Sequence, residues 1–163
     1  MEFREVVRRR RMVRRFDPDA PVEPSVVRDL VSLAVRAPSA GFSQGWDFVL
    51  LEDPADRAAF WGATREAGAA WAPDDWWTGV SAAPVLVVCL SDPGAYLDRY
   101  AEPDKGWEDR SVERWPVPYW DTDTAMAAMI MLLGAQDHGL GALFFGVPAE
   151  RHDDVRMALD IPE

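Results

Sequence analysis

The sequence predicts a single α+β domain in which a small, mostly antiparallel sheet is flanked by helices and one long helix is buried. Strand-like runs are few and widely separated, which is typical of α+β domains and argues against a doubly wound fold. From Asp121 to about His138 the chain is apolar on several faces, as expected for a helix surrounded by protein. A chain of 163 residues is long enough for one such domain, which we place over 1–163.

The individual elements follow from local signals. Helix-start residues and apolar residues at helical spacing predict five helices, at about 2–13, 24–36, 53–63, 121–138 and 148–159. Apolar runs predict three strands, at 46–51, 84–90 and 142–145. Pro24 suits the first turn of a helix, and Asp53 before Pro54 is an N-cap signal. The segments 71–80 and 92–118 have little periodicity and are predicted to be loops or short helices of a lid.

Positive charge is concentrated near the N-terminus. The chain has 17 basic and 28 acidic residues, and six of the basic residues are arginines between Arg8 and Arg15. Such a run indicates a local anion site. Nucleic acid is not expected as a partner, because the acidic remainder would repel a polyanion. No stretch approaches the roughly 20 apolar residues of a membrane helix, and no apolar leader follows Met1. We therefore expect a cytoplasmic protein without a membrane partner.

Side chains that perform catalysis or bind metals are sparse. His138 and His152 lie far apart and belong to no cluster with metal-ligand spacing, so no metal site is expected. Cys89 stands in an apolar run, which favours a buried and unreactive thiol. The sequence contains no phosphate loop, dinucleotide fingerprint or serine nucleophile motif. Chemistry supplied by a bound cofactor suits such a chain.

The spacing of Arg10 and Arg14 allows two interpretations. Residues four apart share a helix face, or the end of one, and can bind a phosphate together. Alternatively, both side chains are solvated and favour the negative end of the first helix dipole. Spacing alone does not decide between a phosphate site and a solvated helix end.

Three segments resemble the signature segments of the nitroreductase family, in the family's order and at family-like separations. They are RRMVRRFD at 10–17, APSAGFSQGWDFV at 37–49 and GLGALFFG at 139–146. The resemblance covers nearly the whole chain. It implies a nitroreductase-like fold, an FMN cofactor, a homodimer with flavin at the subunit interface, and electron transfer from NAD(P)H to a small-molecule acceptor.

The same resemblance implies roles for individual residues. Three basic residues correspond to those that hold the FMN phosphate and ribityl chain: Arg10, Arg11 and Arg14. Four residues correspond to the turn beside the ribityl chain and the ring: Pro38, Ser39, Ala40 and Gln44. In the segment Phe144, Phe145 and Gly146, the backbone amide of Phe145 corresponds to the donor that points at flavin N5. No catalytic side chain is therefore expected.

Two residues depart from the family pattern. Met12 stands where serine is common near the phosphate, and Phe42 stands where asparagine is common near the flavin. The chain also stops at Glu163, where relatives usually continue into a last strand. A sheet without that strand would have an unpaired edge, and we would then expect a weaker dimer.

The tryptophans are candidates for the substrate pocket. Aromatic side chains over the open face of a flavin suit a flat acceptor such as a nitroaromatic or a quinone. The candidates are Trp71, Trp76, Trp77 and Trp107. Packing in the core or at a dimer interface is the alternative for these residues. Two other functions also stay open: a tailoring dehydrogenase or flavin-modifying enzyme of the same family, and a degenerate flavin-binding or interaction protein without catalysis.

Overall fold

The computed structural model describes residues 1–64 and 75–162. In these ranges the α-helices are Phe3–Arg9 (α1), Pro24–Ala34 (α2), Pro54–Ala63 (α3), Asp75–Ser81 (α4), Pro93–Ala101 (α5), Tyr119–Asp137 (α6) and His152–Ala158 (α7). The strands Trp46–Leu51 (β1) and Leu86–Ser91 (β2) form a small sheet. They run antiparallel, because the N–H of Asp92 after β2 donates to the carbonyl of Gly45 before β1, at 3.0 Å. The predicted α+β class is confirmed.

The described chain groups into two compact units. The first unit comprises Met1–Arg10, Pro24–Val49 and Val88–Leu140. The second unit comprises Arg11–Glu23, Leu50–Val87 and Gly141–Glu163. Both strands contribute residues to each unit, and the single domain over 1–163 stays a prediction.

Helix α6 is the most buried element of the first unit. Its buried residues point to several sides: Asp123, Thr124, Ala127, Ala128, Met131, Leu132, Gly134 and Ala135. Helix α2 packs closely on α6, where a Cβ at Gly134 would lie 2.8 Å from Leu30 Cδ2. The helix ends at Asp137, and the predicted stop residue Gly139 follows two positions later with a φ of 75°, in the left-handed region. There the N–H of Leu140 donates back to the carbonyl of Ala135 at 2.8 Å, and the predicted long buried helix is confirmed.

In the second unit, helix α3 packs on α7. Helix α3 begins where the sequence predicts, and the Asp53 carboxylate accepts from the N–H of Ala55 at 2.7 Å. The strand predicted at 142–145 is reduced to one parallel bridge between Met12 and Ala142. Across this bridge the N–H of Val13 donates to the Ala142 carbonyl at 2.9 Å.

Helix α1 is shorter than predicted, and helix α5 is a short helix of the kind that its segment was predicted to hold. Helix α1 ends at Arg9 instead of continuing to about 13, because the backbone turns to extended values at Arg10 (φ −53°, ψ 127°). Helix α5 lies in the segment predicted to hold loops or short helices. It begins with an Asp92 cap on the N–H of Gly94 (2.7 Å) and with proline in its first turn, the same signal that starts α3. Within 1–64 and 75–162, no helix is both long enough and apolar enough to cross a membrane.

Candidate functional site

The residues assigned to a cofactor fall in both units. The first unit holds Arg10, Pro38, Ser39, Ala40 and Gln44, together with Trp107. The second holds Arg11, Arg14, Phe144, Phe145 and Gly146, together with Trp76 and Trp77. Trp71 lies outside the described residues.

In the first unit, the turn from Ser39 to Gln44 has an uncommon backbone. The φ angles of Gly41, Phe42 and Gln44 are 63°, 57° and 52°, all in the left-handed region. This region favours glycine and asparagine and disfavours a bulky residue such as Phe42. The phenylalanine is nonetheless 77% exposed, so burial of its own ring does not hold it there. Other contacts must stabilise the turn.

Helices α5 and α6 supply those contacts. Oδ2 of Asp123 accepts from the backbone N–H of Ala40 and from the hydroxyl of Tyr96, both at 2.7 Å. Nε of Arg99 donates to the carbonyl of Gly41 at 2.9 Å. These bonds hold the turn against two helices of the same unit. Unfavourable φ angles can persist when several surrounding contacts stabilise the backbone in this way.

A chain of hydrogen bonds continues from Tyr96 into the turn. The Tyr96 hydroxyl lies 3.3 Å from Oγ of Ser39, which accepts from the backbone N–H of Gln44 at 2.8 Å. Tyr96 and Asp123 are almost completely buried, at 0% and 1% exposure. Burial, together with the nearby Asp123 carboxylate, raises the pKa of Tyr96 to about 12. The phenol therefore keeps its proton throughout the physiological range.

Sequence reasoning missed Asp123, Tyr96 and Arg99. The available signal was Asp123, an acidic residue within a helix that is otherwise apolar on several faces. A buried carboxylate needs hydrogen-bond donors, and these come from distant parts of the chain.

The arginines of the run differ in whether they form ion pairs with the described residues, and Nη1 of Arg14 donates to the carbonyl of Met12 at 3.3 Å. Arg8 and Arg9 both approach the Glu5 carboxylate, at 3.3 and 3.5 Å. Three others form no ion pair with the described residues: Arg10, Arg11 and Arg14. Nη1 of Arg10 is buried without a hydrogen-bond partner there. Helix α1 ends at Arg9, so Arg10 and Arg14 do not share a helix face. Both residues follow the end of the helix, which is the other arrangement that their spacing allows.

In the second unit, an aromatic cluster holds the segment of Phe145. The Phe145 ring stacks on Trp61 with centroids 5.5 Å apart and planes at 10°, and it meets Phe60 edge-on at 6.3 Å. Trp61 in turn contacts Trp77 edge-on at 4.9 Å. The backbone N–H of Phe145 makes no hydrogen bond within the described part of the chain. The cluster thus anchors a segment whose Phe145 N–H has no hydrogen-bond partner among the described residues.

The candidate pocket tryptophans take part in packing to different degrees. Trp77 belongs to the cluster around Trp61. Trp107 packs on Tyr100 and Trp115, with ring centroids 4.9 and 5.4 Å apart. Trp76 is 41% exposed. The packing alternative therefore applies to Trp77 and Trp107, and a pocket role stays a prediction.

The two histidines and the cysteine have environments that suit a structural role. Nε2 of His138 lies 2.9 Å from Oδ2 of Asp29, and Nε2 of His152 lies 3.1 Å from the carbonyl of Val147. Burial raises the pKa of the Cys89 thiol to about 11, so the thiol is protonated at neutral pH, as expected for an unreactive cysteine.

Gly79 allows helix α4 to approach the arginine segment of the second unit. A Cβ at this position would clash with the backbone carbonyl oxygen of Arg14, and the Gly79 carbonyl accepts from the N–H of Phe16 at 3.2 Å. Because the clash involves backbone, Gly79→Ala should lower the free energy of unfolding by about 1–3 kcal/mol in urea denaturation. Gly62→Ala is the control, since a Cβ there meets nothing within 4 Å. Equal effects of the two variants would contradict the close approach.

Comparison with known proteins assigns the chain to a family. The model of the family described as "Nitroreductase family" matches residues 7–163. A curated protein of Thermus thermophilus, named NADH dehydrogenase, is 31% identical over 94% of this chain and 77% of its own length.

Solved structures share the fold. A nitroreductase family protein from Clostridium novyi NT has a TM-score of 0.72 at 23% identity, covering 100% of this chain and 78% of its own. A protein from Exiguobacterium sibiricum 255-15, solved in complex with FMN, has a TM-score of 0.72 at 18% identity, covering 100% and 82%. The nitroreductase-like fold is thereby confirmed. On the family match and the curated relative, the chain belongs to the nitroreductase family of oxidoreductases.

Proposed function

We propose that this protein is an FMN-dependent NAD(P)H oxidoreductase that acts in the cytoplasm as a homodimer. The name of the Thermus relative and the FMN in the Exiguobacterium structure support this proposal. Bound FMN would supply two-electron redox chemistry, with hydride taken from NAD(P)H at N5 and electrons passed in a ping-pong cycle to a flat electrophile such as a nitroaromatic or a quinone. The protein would bind, orient and stabilise that cofactor.

The arginines that form no ion pair with the described residues are the observation that carries the proposal: Arg10, Arg11 and Arg14. A buried guanidinium nitrogen without a partner, as in Arg10, is costly unless an acceptor meets it. A phosphate supplies several charged acceptors and suits arginine geometry. Arg11 and Arg14 are exposed and form no ion pair with the described residues. By residue type, each of these three side chains suits a phosphate, whereas Arg8 and Arg9 already share a carboxylate.

Residues of the turn and of the aromatic segment have separate roles in the same proposal. Ser39 and Gln44 would contact the ribityl chain or the ring. Pro38 and Ala40 would shape the turn that carries them. The N–H of Phe145, which makes no hydrogen bond with the described residues, lies between Phe144 and Gly146 and would donate to the reacting edge of the ring. Such a fixed donor stabilises developing negative charge without a titrating side chain.

The acceptor pocket and the dimer belong to the same proposal. Aromatic side chains would line the acceptor site: Trp71, Trp76, Trp77 and Trp107. Of the three that the structure describes, Trp76 is the most accessible. Apolar side chains of the first unit would contribute to the subunit interface. Phe3 of α1 and Met129 of α6 are 69% and 42% exposed, and covering such side chains is a common role of a homodimer interface.

An arginine panel tests the cofactor site. Arg10→Ala and Arg14→Ala each remove one charge-assisted contact and should weaken FMN binding about tenfold to a hundredfold. Arg8→Ala and Arg9→Ala are matched controls on the same run. They should change the affinity about twofold or less, because exposed ion pairs contribute little. Fluorescence titration of the apoprotein with FMN measures all four variants.

Equal and small effects from all four variants would reject the phosphate site. A purified wild-type protein that is colourless and does not bind FMN would reject the flavin enzyme itself and favour an interaction protein. A yellow protein that oxidises NADH or NADPH in the presence of a nitroaromatic or a quinone supports the proposal. Light scattering of that sample should give the mass of a dimer.

A further inference from the structure

We propose that Asp123, acting through Tyr96, orients the hydroxyl of Ser39 so that this oxygen presents only a hydrogen-bond acceptor to the ligand. The position would then bind a donor group, such as a hydroxyl of a polyol chain or a ring N–H. It would not bind a carbonyl or a phosphate oxygen. This inference rests on the proposed function, because it takes the ligand to be a flavin nucleotide.

The direction of the protons follows from the partners of Asp123. The backbone N–H of Ala40 can only donate, so Oδ2 of Asp123 is an acceptor at 2.7 Å. The same oxygen lies 2.7 Å from the Tyr96 hydroxyl, a short distance typical of a hydroxyl that donates to a carboxylate. Tyr96 has one hydroxyl proton, and it is therefore directed at Asp123.

Among the described residues, Tyr96 is the acceptor within reach of the Ser39 hydroxyl, and we infer that the hydroxyl donates to it. With its proton already donated, the Tyr96 oxygen can only accept across the 3.3 Å contact with Ser39 Oγ. A serine oxygen has two lone pairs, and the backbone N–H of Gln44 uses one of them at 2.8 Å. One acceptor position remains. Since Ser39 is only half-buried, a ligand can reach that position.

This polarity is stable because the phenol resists ionisation. Burial and the neighbouring carboxylate raise the pKa of Tyr96 to about 12, so the phenol does not lose its proton at physiological pH. Tyr96 and Asp123 thus act as positioning residues: they set which hydrogen-bonding role Ser39 offers.

The test uses FMN and a set of analogues that each lack one donor. These are FMN deoxygenated at the 2′, 3′ or 4′ position of the ribityl chain, and FMN methylated at ring N3. Dissociation constants are measured by fluorescence titration. The wild-type protein should bind one analogue about tenfold more weakly than FMN, which is the effect of one lost hydrogen bond at a partly buried site. The other analogues should bind nearly as well as FMN.

Variants then identify Ser39 and its orientation as the cause. Ser39→Ala should bind FMN about tenfold more weakly and should no longer discriminate against the selected analogue. Ser39→Thr, which keeps the hydroxyl, should restore the discrimination. Tyr96→Phe leaves the serine without its acceptor, so its hydroxyl can rotate to donate instead, and the discrimination should fall to about threefold or less.

Tyr100→Phe is the matched control for Tyr96→Phe. It also removes a tyrosine hydroxyl from α5, but that hydroxyl makes no hydrogen bond with the described residues. It should leave the discrimination unchanged. Circular dichroism verifies that each variant is folded before titration, and a general loosening of the turn would weaken FMN and its analogues alike.

The outcomes separate the two proposals. Failure of the wild-type protein to bind FMN rejects the proposed function and this inference with it. If FMN binds but no analogue is discriminated, or if full discrimination survives in Tyr96→Phe, the cofactor assignment stands and the orienting role of Asp123 is wrong.

Discussion

Replacing Trp61 with alanine is expected to lower the free energy of unfolding by about 3–5 kcal/mol. Trp61 is 8% exposed and contacts three aromatic rings of the second unit: Phe60, Trp77 and Phe145. Its removal leaves a cavity that the neighbouring rings can fill only in part. The stack with Phe145 is lost as well, and aromatic pairs contribute about 0.5–1.5 kcal/mol beyond their buried area.

Chemical denaturation measures this effect, and two further variants define its cause. Trp61→Phe keeps an aromatic ring and should cost less than half as much as the alanine variant. Trp76→Ala removes a tryptophan that is 41% exposed and should have a small effect. A loss in Trp61→Ala no larger than that in Trp76→Ala would show that the cluster does not anchor the Phe145 segment.

Asp123→Ala is expected to lower the free energy of unfolding by about 2–6 kcal/mol. The substitution leaves two donors without an acceptor, the part-buried N–H of Ala40 and the buried hydroxyl of Tyr96. Each unsatisfied buried group costs about 1–3 kcal/mol. The turn from Ser39 to Gln44 should lose its hold on α6, so weaker FMN binding is expected in the same variant.

Asp123→Asn is the informative control. Both donors converge on one oxygen, Oδ2, and an asparagine carbonyl oxygen placed there can accept from both. The asparagine variant should therefore keep most of the stability that the alanine variant loses. Equal losses in the two variants would mean that the negative charge, and not the hydrogen-bond acceptor, is required. Urea denaturation with linear extrapolation distinguishes these results.

Local signals in the sequence identified much of the secondary structure. Asp53 and Pro54 marked the start of α3, and the apolar faces from 121 onward marked α6, because caps and periodicity act within one element. The same cap signal at Asp92 and Pro93 predicts α5, a helix that the low periodicity of its segment obscured. The end of α1 was missed because residues after Arg9 meet a distant segment, at Met12 and Ala142, and helix propensity does not record such a contact.

The sequence alone determined the chemical inventory of this protein: a run of arginines in an acidic chain, a turn rich in small polar residues, and a family resemblance that the comparisons confirm. Only the tertiary structure decided which of those groups have partners. It paired Arg8 and Arg9 with Glu5 and left Nη1 of Arg10 buried without a hydrogen-bond partner among the described residues. It also placed the Asp123 carboxylate beneath the turn, 83 residues away along the chain. Hydrogen-bond and ion-pair partners depend on distances of about 3–4 Å between atoms, and such distances between remote residues exist only once the chain has folded.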